Sequence, residues 1–187
     1  RKRIPEKIWR EYSQSILNPL VNKVIRQTYF PGSTFKPIPA IAGLHYRKIT
    51  PASTYLCEGC LMFGTDTKCC WNKGGHGYVN LYRSLKESCD IYYYKLSEEI
   101  GLEGLTHFAA LFGAGQATGI DLPGEERGVL PERTWFNLNY PGMRIGKGVI
   151  MNLSIGQGDI RMTPLQIAVL YAALANYGVI IKPRIVE

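Results

Sequence analysis

The chain has 187 residues, of which 45% are apolar and 20% charged, with a formal net charge of +7. That length and composition suit one globular domain with a sizeable core, and no run of about 18 apolar residues is present that could span a bilayer. The positive charge is spread out, Arg1-Lys2-Arg3 being the one run and reading as a solvated terminus, so no basic stripe with interleaved aromatics points to nucleic acid.

Residues 4–27 read as a helix-rich lead-in. Ile8, Trp9 and Tyr12 form a partial apolar stripe that Asn18-Pro19 interrupts. A short segment from Leu20 to Gln27, with Leu20, Val24 and Ile25 on one side, leads to Phe30-Pro31-Gly32-Ser33-Thr34-Phe35-Lys36-Pro37. Here a hydroxyl and an amine stand three residues apart after a Pro-Gly break. On one helical turn their Cβ atoms lie about 5–6 Å apart, so a neutral Lys36 can take the proton of Ser33 as the hydroxyl attacks a carbonyl. At a helix start, Ser33 also faces free N–H groups able to hold an oxyanion. S-x-x-K alone is weak, and a serine beside a solvated lysine is the commoner meaning. Pro37 and Pro39 strengthen the motif. Each lacks a donor and crowds the carbonyl four residues back, which suggests a turn built for something other than stability.

From Pro37 to Leu44 the small apolar residues suit a buried helix. Residues 45–78, with five glycines and four cysteines, show little periodicity and read as a long loop. Helical character returns with Leu81 and Leu85, and again with Ile91, Tyr92 and Leu96 up to Gly101. A further helix from Leu102 to Phe112 presents Leu105, Phe108, Ala109 and Phe112. Gly113 to Gly128 is a turn-rich connector, and Leu130 to Lys147 carries no clear pattern. Thr163-Pro164-Leu165-Gln166 is a capping box with proline at the first helical position. Val169, Ala172, Ala173 and Leu174 form its inward face, Gly178 supplies a left-handed stop, and Val179-Ile180-Ile181 reads as a strand start.

Four stretches together resemble the class B penicillin-binding proteins, peptidoglycan D,D-transpeptidases, and among them the elongation-specific penicillin-binding protein 2 group. They are Asn18-Pro19-Leu20-Val21-Asn22 leading to Pro31-Gly32-Ser33-Thr34-Phe35-Lys36-Pro37; Gly75-His76-Gly77; Arg83-Ser84-Leu85-Lys86-Glu87-Ser88-Cys89-Asp90; and Ser154-Ile155-Gly156-Gln157-Gly158 followed by Thr163-Pro164-Leu165-Gln166. Their order and spacing agree with that family over nearly the full length. The resemblance implies an α+β, helix-dominated fragment of the transpeptidase and serine β-lactamase-like fold, with residues 1–187 a partial transpeptidase domain. The family's third motif, Lys-Thr-Gly or Lys-Ser-Gly, does not occur in the chain. In the family it follows the segment where Glu187 stands, so truncation before the third-motif strand is expected. Arg1, following no start methionine, fits a piece of a longer protein.

Carried over by this resemblance, Ser33 is the acylated nucleophile and Lys36 its base. Ser88 is the second-motif serine, passing a proton between Lys36 and the leaving amine. Asp90 stands where the family usually has asparagine. Ionised, it accepts hydrogen bonds but donates none, so it can hold Lys36 but not a substrate carbonyl. Read alone, Ser88 and Asp90 would be an ordinary helix cap. Expected partners are peptidoglycan stem peptides, β-lactam antibiotics and membrane proteins of the elongation complex, namely a polymerase and a morphogenesis scaffold. The expected location is the periplasmic face of the inner membrane, reached through an N-terminal anchor outside this chain.

The five cysteines cannot all pair with one another. Cys57-x2-Cys60, Cys69-Cys70, His76 and Cys89 offer more soft ligands than tetrahedral zinc requires. Some elongation-type relatives resemble this, with a metal between the first two motifs. Positions matching Cys70, His76 and Cys89 serve as ligands there, and Cys57 is taken as the fourth. Residues 45–78 are then a metal-binding loop with one structural zinc; no organic cofactor is expected. The competing reading is disulfides, Cys57–Cys70 or Cys60–Cys69, in an oxidising compartment. For function, acyl transfer leads. A serine β-lactamase-like hydrolase and a non-catalytic, zinc-stabilised interaction module are the alternatives.

Overall fold

The structure is a computed structural model that describes residues 4–185; Arg1-Lys2-Arg3 therefore lies outside the described residues. The chain begins with α1 (Glu6–Ser13) and α2 (Lys23–Arg26), followed by a 3-10 turn (Gly32–Phe35) and α3 (Pro37–His45). Four short strands come next: β1 (Thr54–Cys57), β2 (Cys60–Phe63), β3 (Asp66–Cys69) and β4 (Gly77–Asn80). Five helices complete it: α4 (Leu81–Lys86), α5 (Asp90–Leu111), α6 (Arg133–Asn139), α7 (Lys147–Ser154) and α8 (Pro164–Ala175). The class is the expected α+β with helix dominant.

The core forms around α5, which packs against both α3 and α7. Its buried residues include Ile91, Tyr92, Tyr93 and Leu96 in the first half and Leu102, Leu105, Phe108 and Ala109 in the second. Gly101 separates the halves with φ 69° and ψ 178°, a conformation that favours glycine. The expected break at this residue is present: the backbone leaves helical geometry at Gly101, and the two halves of α5 are helices on either side of it.

Several expectations are corrected. Pro37 and Pro39 do not disturb a helix interior, because α3 begins at Pro37. Both prolines fall in the first turn, where N–H groups have no intrahelical acceptor. Residues 45–78 are not an irregular loop. β1 pairs antiparallel with β4, Thr54 facing Asn80 and Cys57 facing Gly77. Inside that ribbon, β2 pairs antiparallel with β3, Cys60 facing Cys69. Each strand has four residues, too few for an alternating pattern to stand out. Val179-Ile180-Ile181 is not a strand. These side chains are 45–64% exposed, and no described strand lies alongside to complete a ladder.

The apolar stripe of Ile8, Trp9 and Tyr12 lies on α1, which buries none of its residues. Of Leu20, Val24 and Ile25 only Ile25 is buried. The patternless stretch from Leu130 to Lys147 contains α6, anchored by buried Phe136, and ends where α7 begins. The Thr163 capping box is present with both of its hydrogen bonds. On α8 the buried positions are Gln166, Val169, Leu170 and Ala173, while Ala172 is exposed. At its end the Gly178 N–H reaches the Ala173 carbonyl at 2.8 Å. Both Tyr177, with φ 54°, and Gly178, with φ 86°, are left-handed there.

Candidate active site

Ser33 is exposed, within the 3-10 turn, and Lys36 follows as the residue that caps α3. The turn is pinned from three sides. Thr34 Oγ1 donates to the Pro31 carbonyl at 2.6 Å, and Tyr171 Oη donates to the Thr34 carbonyl at 3.1 Å. The Gly32 N–H donates to the Gly156 carbonyl at 2.9 Å. Just before the turn, Tyr29 and Met162 exchange two main-chain hydrogen bonds of 2.9 Å. The Ser154-Ile155-Gly156-Gln157-Gly158 segment thus forms the wall on which the Ser33 turn rests.

Ser88 closes α4. Its N–H bonds to the Leu85 carbonyl at 3.3 Å, and the Cys89 N–H bonds to the Ser84 carbonyl at 3.0 Å. This paired closure normally uses glycine at its left-handed residue. Here that residue is Ser88, with φ 52°, at a cost of roughly 1–2 kcal/mol. α5 starts two residues later at Asp90, so a single tight junction supplies both Ser88 and Asp90.

These elements meet at Lys36, which is only 1% exposed. Its Nζ donates to the Ser88 carbonyl at 2.8 Å, to Ser88 Oγ at 2.9 Å and to Asp90 Oδ1 at 2.7 Å. Three acceptors match the three hydrogens of an ammonium group. The Tyr93 ring lies against the same nitrogen, its centroid 5.6 Å away. Burial pushes the Tyr93 phenol above its ordinary value. Since the Ser84 hydroxyl already donates to the Leu81 carbonyl, Tyr93 Oη donates to Ser84 Oγ at 3.0 Å.

Ser88 Oγ in turn donates to Ser33 Oγ at 2.9 Å. The expected contact between Ser33 and Lys36 therefore runs through Ser88. A hydrogen-bonded chain links Lys36 Nζ, Ser88 Oγ and Ser33 Oγ, while all three Lys36 protons are engaged elsewhere than on Ser33.

The cysteine-rich ribbon abuts this junction. One ligating atom from each of Cys57, Cys70, His76 and Cys89 lies within 4.8 Å of every other. His76 Nδ1 is 3.5 Å from Cys57 Sγ and 3.6 Å from Cys70 Sγ. The three cysteines are buried and unpaired, whereas Cys60 and Cys69 form a disulfide across β2 and β3. Of the disulfides weighed, Cys60–Cys69 forms and Cys57–Cys70 does not, while the four residues expected as metal ligands are gathered together. Three buried sulfurs and one half-buried imidazole gathered this closely are a donor set that fits a tetrahedral metal, for which neighbouring sulfurs stand about 3.8 Å apart. Without a cation, burial pushes the Cys89 thiol up to about 12. His76 Nε2 is buried with no hydrogen-bond partner among the described residues.

The cluster and the Lys36 site share main chain. The Asp90 N–H donates to Cys70 Sγ at 3.4 Å, and the Trp71 N–H donates to Asp90 Oδ2 at 3.1 Å. Sequence reasoning missed Trp71 and Tyr171, since single aromatics outside a motif carry no signal of their own.

The family model for the penicillin binding protein transpeptidase domain matches residues 5–187. A peptidoglycan D,D-transpeptidase MrdA of Acinetobacter baumannii is 35% identical over 98% of this chain, which spans 28% of that relative's length. The structure of Pseudomonas aeruginosa PBP2 in complex with WCK 5153 superposes with a TM-score of 0.91 at 36% identity, over 97% of this chain and 41% of that one. PBP2 of Helicobacter pylori, in a complex with MreC, superposes with a TM-score of 0.90 at 32% identity, over 97% of this chain and 34% of that one. The fold, the order of the motifs and these likenesses agree: this chain belongs to the penicillin binding protein transpeptidase domain family.

Proposed function

We propose that the protein containing this chain is a peptidoglycan D,D-transpeptidase of cell elongation in which Ser33 is the acylated nucleophile. The observation that carries the reading is the continuous chain from Lys36 Nζ through Ser88 Oγ to Ser33 Oγ, with both links 2.9 Å long. A neutral amine has two N–H donors and one lone pair. Two of the Lys36 bonds, to the Ser88 carbonyl and Asp90 Oδ1, go to groups that can only accept. The third goes to a hydroxyl, which can reverse its role.

With Lys36 neutral, its two N–H groups keep the fixed acceptors and its lone pair accepts from Ser88 Oγ. Ser88 Oγ then accepts from Ser33. As Ser33 Oγ bonds to the carbonyl carbon of the stem-peptide D-Ala-D-Ala amide, its proton moves to Ser88 and the Ser88 proton moves to Lys36. The same path returns a proton to the departing nitrogen, the C–N bond breaks, and D-alanine leaves. An amine of a neighbouring strand then attacks the ester, and Ser33 recovers its proton. A β-lactam enters by the same attack and stays bound to Ser33 when its ring opens. Base catalysis of this kind contributes about 100- to 10,000-fold.

Cys57, Cys70, His76 and Cys89 would hold one structural zinc. The ion would act by fixing the ribbon against the junction of α4 and α5, with no part in proton transfer. The relatives named MrdA and the PBP2–MreC complex support the elongation role. Membrane partners of the elongation machinery and a site of action on the periplasmic side of the inner membrane are part of the same reading.

The test is exposure of the full-length protein to a fluorescent penicillin, followed by intact-mass analysis. A stable adduct on Ser33, absent in Ser33→Ala, is the expected result. No adduct, or one on another side chain, overturns the reading. Rapid loss of the adduct points instead to a hydrolase.

A further inference from the structure

Trp71 lies two residues beyond the end of β3 and is 63% exposed, yet its polar atoms are not left to solvent. The indole Nε1–H donates to the Glu87 carbonyl at 3.0 Å, and the main-chain N–H donates to Asp90 Oδ2 at 3.1 Å. One edge of the ring meets His76, with 5.4 Å between centroids. A single residue therefore grips both partners of Lys36: Asp90 through its main chain, and Ser88 through the peptide bond that precedes it.

The second grip falls on the strained residue. Ser88 holds φ 52°, where a non-glycine residue stays only if its surroundings enforce it. Leaving that region means rotating the Glu87–Ser88 peptide. Such a rotation carries the Glu87 carbonyl away from Trp71 Nε1 and the Ser88 hydroxyl out of the gap between Lys36 and Ser33. The helix-end closure holds the N–H side of this peptide, through Ser88 N–H to the Leu85 carbonyl; the indole holds the carbonyl side.

We propose that Trp71 is a positioning residue for acylation of Ser33, its indole N–H keeping Ser88 in the left-handed conformation that joins Lys36 to Ser33. This rests on the acyl-transfer reading above. Trp71 contributes no atom to the reaction; it acts through the Glu87–Ser88 peptide.

The experiment measures acylation of the full-length protein by a fluorescent penicillin, separating the encounter dissociation constant from the acylation rate constant. Trp71→Phe is expected to lower the rate constant about fivefold, the worth of one net hydrogen bond, with the dissociation constant unchanged. Ser88→Ala is expected to lower it about 100-fold or more. In the Ser88→Ala background, Trp71→Phe is expected to have no additional effect, because two residues acting through one hydroxyl are not additive. Benzothienylalanine at position 71 keeps the ring shape while replacing N–H with sulfur, and is expected to behave as Trp71→Phe does if that variant folds poorly. A full rate with benzothienylalanine, a multiplicative loss in the double variant, or an effect confined to the dissociation constant overturns the proposal. A Ser88→Ala protein that acylates normally overturns the relay through Ser88 and this proposal with it, whereas a native protein that forms no adduct on Ser33 overturns the acyl-transfer reading instead.

Discussion

Gly156 and Gly32 touch backbone to backbone. The Gly32 N–H donates to the Gly156 carbonyl at 2.9 Å, and a Cβ on Gly156 would stand 2.3 Å from the Gly32 oxygen and 2.6 Å from its nitrogen. Gly156 also has φ 69°. The nucleophile's turn and the Ser-Ile-Gly-Gln-Gly segment, more than a hundred residues apart in sequence, are fitted with no space for a side chain between them.

Gly156→Ala is therefore expected to displace the Ser33 turn. A shift of about 1 Å at a reacting group costs on the order of 100-fold in rate. The check is the acylation rate of the full-length protein alongside its melting temperature. Unchanged acylation in a folded protein would show that the contact does not place Ser33.

Asp90 is one of three acceptors for a buried ammonium, the Lys36 and Asp90 side chains being 2% and 14% exposed. Asp90→Ala strips that charge of its counter-ion and is expected to destabilise the domain by about 3–5 kcal/mol. Asp90→Asn keeps an oxygen in place of Oδ1 and is expected to cost less. Thermal unfolding of the two variants beside the native protein measures the difference; equal losses would mean that the retained oxygen is worth nothing and that the charge, which both variants remove, is all Asp90 contributes.

Zinc analysis is expected to give about one ion per chain, and Cys89→Ser or His76→Ala to lower it. Cys60→Ser combined with Cys69→Ser is expected to leave it, because that pair lies outside the cluster. Alkylation after metal removal, in denaturant and without reductant, is expected to label the three free cysteines and spare the bonded two. Burial holds the Cys89 thiol up to about 12, so binding must expel that proton. Zinc affinity is then expected to fall with falling pH, by about tenfold per unit for each thiol that must ionise. Affinity independent of pH would place the ion elsewhere.

Gln166 is 2% exposed, and its amide ties three segments together. Nε2 donates to the Gln116 carbonyl at 2.7 Å and the Arg127 carbonyl at 2.8 Å, while Oε1 accepts from the Thr163 N–H at 2.7 Å. Gln166→Leu leaves these groups without partners, and each buried loss costs about 1–3 kcal/mol. A melting temperature lowered by many degrees, with zinc content retained in the folded fraction, is the expected outcome.

What was legible in the sequence was whatever is written in neighbouring residues. Thr163 and Gln166 sit three apart, so their capping box is local chemistry and needs no tertiary knowledge. Gly101 between two apolar helical patterns announced the break, and Ser33 with Lys36 announced a nucleophile beside an amine. The strands of residues 54–80 were illegible because each has four residues and its partner follows a turn or another ribbon. The harmless placement of Pro37 and Pro39 depended on where α3 begins, which the motif does not state.

The tertiary structure alone decided which groups touch. Lys36 turns its three hydrogens to residues more than fifty positions away, so its link to Ser33 passes through Ser88. Residue types could nominate six soft ligands, five cysteines and His76. The resemblance named Cys57, Cys70, His76 and Cys89 as a set, and the pairing of β1 with β4 and β2 with β3, together with Cys89 at the cap of α5, is what separates a bonded pair from a cluster of four. Local sequence sets backbone preference and side-chain chemistry. Which atoms come within bonding distance is set by the packing of elements distant along the chain, and here that packing joined the serine, the lysine and the cysteine cluster.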